Sequence, residues 1–110
     1  MTDNGIVSVE SLASELLEEA RGHHSRRAAR TIVSGAVQRA TLIALAQGAE
    51  MSEHDAPTAA TLQLVVGSAR LHTRSQEWVL GAGQLVAVPP QRHGLTALTD
   101  AVALLTVALR

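Results

Sequence analysis

Imidazole is the side chain with the most chemistry to offer in this sequence. Five histidines are spread over 110 residues: His23, His24, His54, His72 and His93. A neutral imidazole can hold a transition metal, pass a proton, or accept and donate hydrogen bonds around neutral pH. His23 and His24 are adjacent in a polar, Arg-rich stretch, where such a pair ordinarily has no task. His54 stands between Glu53 and Asp55. On a strand both carboxylates point to the face opposite His54, so no local carboxylate–histidine pair forms. Cysteine is absent, which excludes a thiolate metal site, a cysteine nucleophile and a disulfide framework. All nine basic residues are arginine, so no lysine is present for Schiff-base chemistry. There is no G-x-S-x-G elbow, no phosphate-binding glycine loop with lysine and no dinucleotide fingerprint. Nor does any carboxylate pairing support a hydrolase.

The elements that must position these groups are those of one small domain. A chain of 110 residues is one domain at the usual size, and it buries roughly two thirds of its unfolded surface. The hydrophobic fraction is 46% and the charged fraction 17%, a globular composition. The net charge of -1 gives no global field to recruit nucleic acid or anionic lipid. Trp78 is the only aromatic residue, which argues against stacking platforms for single-stranded nucleic acid. No apolar run approaches the roughly 18 residues of a membrane span. Met1-Thr2-Asp3-Asn4 lacks the basic and apolar regions of a signal peptide. The expectation is a cytoplasmic protein.

Residues 9–20 predict a helix. Val9, Leu12, Ala13, Leu16 and Ala20 share one side, with Leu17 at its edge, while Glu10, Ser11, Ser14, Glu15 and Glu18 take the other. Ser8 is a candidate N-cap and Gly22 a stop signal. Residues 21–30 read as a basic linker, its arginines pairing with Glu18 and Glu19. With no aromatic and no helix-turn-helix context, no nucleic-acid partner is expected.

From about residue 31 the pattern changes to short segments rich in Val, Leu and Thr. Candidate strands are 29–34, 38–47, 60–66, 69–73, 77–80, 85–88 and 101–108, separated by Gly, Ser and Pro turn signals. Spacing of this kind predicts an all-β barrel or sandwich covering 31–110, behind an N-terminal helix and linker covering 1–30. Gly67, between Val66 and Ser68, predicts a hairpin turn at positive φ. The segment 101–109 is almost wholly apolar, so it must be buried on both faces, under the helix or against a partner subunit. Leu62, Leu64 and Val66, on the phase of Ala60, are expected inside with Leu85 and Ala87. Trp78 is expected to pack, under the helix or in a dimer interface, and His72 to be exposed.

Two motifs resemble those of the cupin superfamily of small jelly-roll barrels. Gly48, five residues, His54 and the apolar run Leu62-Gln63-Leu64-Val65-Val66-Gly67 resemble the first cupin motif. Gly83-Gln84-Leu85-Val86-Ala87-Val88-Pro89-Pro90-Gln91-Arg92-His93 resembles the second. The resemblance covers residues 38–108. It implies that His54 and His93 meet at one mouth of the barrel, that the chain forms a homodimer, and that a metal is held by two histidines and a glutamate of the first motif plus a histidine of the second.

The departures decide the functional reading. The second histidine position holds Ala56 and the glutamate position holds Ala60. His93 stands one residue nearer the proline than the last ligand usually does, where Gly94 takes that place. Gln91 replaces a frequent glycine. Two imidazoles remain, below the three protein ligands that a transition metal normally needs, so no cofactor is expected and a divalent metal would be held only weakly. The leading expectation is a non-enzymatic binding or sensing module. Its ligand pocket would be lined by His54, His93, Leu62, Leu64 and Gln91, with a small molecule as partner. Two alternatives stand beside it: a metal-dependent oxygenase or isomerase using His54 and His93, and a purely structural dimerisation module. The bland reading of both histidines is that backbone groups satisfy them at the barrel rim.

Overall fold

A computed structural model describes residues 5–57 and 59–109. One helix, α1 (Val9–Gly22), is followed by nine strands: β1 (Arg27–Ser34), β2 (Gln38–Leu45), β3 (Glu50–His54), β4 (Ala59–Val66), β5 (Ser68–His72), β6 (Glu77–Gly81), β7 (Leu85–Ala87), β8 (His93–Ala97) and β9 (Ala101–Ala108). They form two antiparallel sheets, β1-β2-β9-β4-β7 and β3-β8-β5-β6, which face each other as an all-β jelly-roll barrel. Among the described residues no helix is long and apolar enough to cross a membrane.

β9 lies at the centre of the five-stranded sheet, between β2 and β4. Its alternation explains its composition. Ala101, Ala103 and Leu105 face the barrel interior, and Val102 and Leu104 face α1. The helix stripe Ala13, Leu16, Leu17 and Ala20 packs on Leu42, Ala44 and Val102. The cover for the apolar strand is therefore the chain's own helix. Ser8 occupies the N-cap position, but its hydroxyl meets Ser11 Oγ at 3.1 Å and caps no backbone N–H. Arg21 pairs with Glu18 at 3.0 Å and Arg30 with Glu19 at 3.7 Å, so the basic run answers the acidic helix as expected.

Several sequence expectations need correction. The basic stretch is a shorter linker than its composition suggests, because β1 begins at Arg27 and pairs with β2 from Arg27↔Leu45 onward. An edge strand tolerates such charges, and they blunt its unpaired side. β3 and β8 escape pattern reading because β3 is a polar edge strand and β8 opens on His93-Gly94. Gly67 does have positive φ, at 73°, but it makes no hairpin: β4 belongs to one sheet and β5 to the other. The glycine turns the chain between sheets, close under the β8–β9 turn. A β-bulge between Leu64 and Val66 then reverses the facing of the strand end, so Val66 packs toward the helix and not inside. Leu85 and Ala87 are also outside. Leu62 opposes Val86 across β4 and β7, so the even residues Val86 and Val88 point inward, and Leu85 is 62% exposed. Trp78 opposes Leu71 and packs on the barrel core, away from the helix.

Candidate functional site

The two motif histidines meet. His54 ends β3 and His93 opens β8, and the two residues are direct cross-strand partners. Their ring centroids lie 4.5 Å apart at 64°, edge to face. A bulge makes this possible. Met51 pairs with Leu95, and in unbroken register from there the partner of His93 would be Glu53. The bulge lets Met51 and His54, three residues apart, line the same cavity, which strict alternation would forbid.

Both rings are anchored alike. His54 Nδ1 is 3.1 Å from the Ser52 carbonyl oxygen, and His93 Nδ1 is 3.0 Å from that of Gln91. A carbonyl only accepts, so each neutral ring carries its proton on Nδ1 and keeps the lone pair on Nε2. His93 is only 4% exposed, the one buried polar or charged residue among the described residues. Around the rings lies a cavity of about 20 Å³, walled by Ile43, Met51, Leu62, Leu71, Val88, Leu95 and Leu105. That is room for about one water molecule. The chemistry available is a pair of basic nitrogen atoms beside a small apolar cup.

The other candidates distribute as follows. Leu62 lines the cup. Leu64 is fully buried in the same core but does not reach the cavity. Gln91 is exposed at its side chain, and its contribution is the carbonyl that orients His93. Ala56 lies in the segment after β3, and Ala60 sits on β4 opposite Val107. His72 is half-buried on another face, where Nε2 is 3.3 Å from Thr96 Oγ1, which in turn donates to Glu50 at 3.2 Å. His23 and His24 lie together after the helix, with centroids 4.3 Å apart. Among the described residues no group of three or more His, Cys, Asp or Glu side chains converges. The metal that the fold family commonly carries therefore does not fit the donor set: two imidazoles supply two ligands, and methyl groups stand at Ala56 and Ala60.

Arg92, the residue before His93, also bears on the site. It donates to Asp55 Oδ1 at 3.2 Å and to the Glu53 carbonyl at 3.0 Å, tying the end of β3 to the start of β8 beside the histidines. Both side chains are largely exposed, so the pair fixes position more than it adds stability. Nothing in the local pattern signals this contact, because its partners lie 37 and 39 residues away.

No protein-family model matches the sequence, and no curated protein matches it. Solved structures do. A conserved protein of unknown function from Streptococcus pyogenes superposes with a TM-score of 0.76 at 21% identity, over 100% of this chain and 91% of that one. A cupin-2 domain containing protein from Shewanella frigidimarina gives 0.73 at 17%, over 94% and 95%. A cupin superfamily protein from Desulfitobacterium hafniense gives 0.71 at 15%, over 76% and 78%. At these identities the likeness speaks for the fold, and together with the strand order and the two-sheet pairing it gives this chain the fold of a small single-domain cupin.

Proposed function

We propose that this protein is a cupin-fold small-molecule binding or sensing module without a competent metal centre, acting as a homodimer. His54 and His93 would meet the ligand through their Nε2 atoms. The observation that carries this reading is the shared anchoring of both Nδ1 atoms on backbone carbonyls, which leaves two acceptors side by side in an apolar cup. Such a cup suits a terminal hydrogen-bond donor (a hydroxyl, an amine or an amide N–H) on a small, otherwise apolar molecule. A cup of about 20 Å³ takes only that terminal group, so the body of the ligand would rest outside it.

The same anchoring favours a second reading, a metal-dependent enzyme, because metal-ligating histidines ordinarily donate their other N–H to a carbonyl. Metal analysis of protein purified without chelator separates the two. The expected result is far less than one equivalent of Fe, Mn, Ni, Co or Zn, unchanged in a His54→Ala, His93→Ala variant. Close to one equivalent in the natural sequence, lost in that variant, would overturn the first reading. Light scattering on the eluting protein checks the dimer, and a monomer at micromolar concentration would refute it.

A further inference from the structure

The two sheets each end on the same side of the barrel, at β1 and β3. These edge strands are not paired with each other. Between them runs a groove of about 440 Å³, lined by Ser25, Arg27, Ala29, Ile43, Met51 and Leu105 among others. This volume lies within the range of roughly 300–1,000 Å³ found for small-molecule sites. Its floor is apolar. Ile43, Met51 and Leu105 also wall the histidine cup, so groove and cup share those side chains.

One charge stands on the rim. Arg27 pairs across β1 and β2 with Leu45, and Ala29 with Ile43, which sets both on the inward face of β1. Arg27 Nη1 reaches across the seam to the carbonyl oxygen of Glu50 at 3.4 Å. The Glu50 carboxylate does not return the contact, since it accepts from Thr96 Oγ1 at 3.2 Å. The nearby helix acids are taken too, Glu19 by Arg30 and Glu18 by Arg21. Among the described residues no carboxylate lies within ion-pair distance of Arg27. A guanidinium without a counter-charge, at the end of an apolar trough, is complementary to one carboxylate on an apolar body.

We propose that this seam groove binds a small aliphatic carboxylic acid, the carboxylate on Arg27 and the chain over Ile43, Met51 and Leu105. The site goes beyond the histidine cup and does not require it. Octanoate, octanol and octylammonium serve as probes of equal length and different charge, followed by calorimetry and by the methyl resonances of Ile43, Met51 and Leu105. Octanoate is expected to bind and to shift those methyls, with octanol at least tenfold weaker and octylammonium weaker still. Arg27→Gln, at an exposed position, is expected to lose octanoate affinity tenfold or more, and Ala29→Trp to abolish binding by filling the trough while circular dichroism stays that of the natural fold. His54→Ala, His93→Ala should bind octanoate within threefold of the natural sequence. Equal binding of octanol and octanoate, or unchanged affinity in Arg27→Gln, overturns the assignment. So does loss of octanoate binding in the histidine variant with retention in Arg27→Gln, which would move the ligand to the cup. A groove filled by a second copy of the chain would leave octanoate unbound and make Ala29→Trp monomeric, and that result also overturns it.

Discussion

Gly67→Ala is the most informative single substitution for the architecture that carries the site. Two costs can be separated. The first is conformational: φ at Gly67 is 73°, and a left-handed conformation costs an L residue about 1–2 kcal/mol. The second is contact. A Cβ at this position would collide with the Asp100 carbonyl oxygen and lie 2.6 Å from Thr99 Oγ1. The β8–β9 turn would have to retreat by more than an ångström, and it is held from several sides. Thr99 Oγ1 accepts from Ser68 N at 3.0 Å, and the Asp100 carboxylate takes Gln47 N at 2.8 Å and Arg21 Nε at 2.9 Å. Displacing packed backbone adds about 1–3 kcal/mol, for a total of about 2–5 kcal/mol. Gly83→Ala is the control, since Gly83 has φ 87° but nothing within 4 Å of the added carbon. It should cost only the conformational part, about 1–2 kcal/mol. Urea unfolding of both variants measures the difference. If Gly67→Ala is no more destabilised than Gly83→Ala, the turn does not pin the chain there and the reasoning fails.

Three further outcomes are expected. The Asp100 carboxyl is held below its usual range, first by the Gln47 N–H and then by the Arg21 side chain. A depressed acid stabilises the fold above its unfolded pKa of about 3.9 and loses that contribution as pH falls through the lower folded value. Asp100→Asn should therefore be less stable than the natural sequence at pH 7, by about 1 kcal/mol, and the two unfolding curves should converge in acid; a constant gap to the lowest pH at which both fold would contradict this. Gly94→Ala places a Cβ 2.8 Å from His72 Cε1 and 2.9 Å from the Met51 carbonyl oxygen. The ring can swing but the carbonyl cannot, so a loss of about 1–3 kcal/mol in chemical denaturation is expected, and a neutral result would mean that β3 and β8 are less tightly apposed. Finally, replacing Arg26, Arg27 and Arg30 with Ser should leave retention on DNA unchanged, because none is expected at physiological salt; salt-dependent binding lost in that variant would show that the basic run recognises phosphate.

Elements whose burial is symmetric or strongly periodic were legible in the sequence. α1 shows its stripe at three- and four-residue spacing, and β9 is apolar on both sides because one side meets the barrel and the other the helix. β3 and β8 were not legible. Glu50-Met51-Ser52-Glu53-His54 places polar groups on both faces of an edge strand, and its alternation is broken at the bulge. Leu85 and Ala87 show a related limit. Strand 85–87 has three residues, all apolar, so composition gives no phase, and only its register with β4 tells that Val86 is the inward one. The meeting of His54 with His93 was implied by resemblance, and backbone groups satisfying both rings was their bland reading, but which carbonyls do so was not legible. Each anchor lies two residues back, and the sequence does not reveal which way a ring turns.

The bulges in β3 and β4 act through parity, and that is why the site depends on more than its histidines. In β4, the extra residue between Leu64 and Val66 sends Val66 to the helix side while Leu62 and Leu64 stay inside, so a single strand serves both cores. In β3, the extra residue between Met51 and His54 turns His54 toward His93 and leaves Asp55 in solvent, paired with Arg92. Were the unaltered sequence to pair regularly from Met51 onward, His54 would keep its chemistry but turn to the other face, while Glu53 would take the place opposite His93. The cup would then hold one imidazole and one carboxylate, a different donor set from the same residue types. What the histidine pair can bind is thus set by the register of a five-residue edge strand as much as by the identity of its last residue.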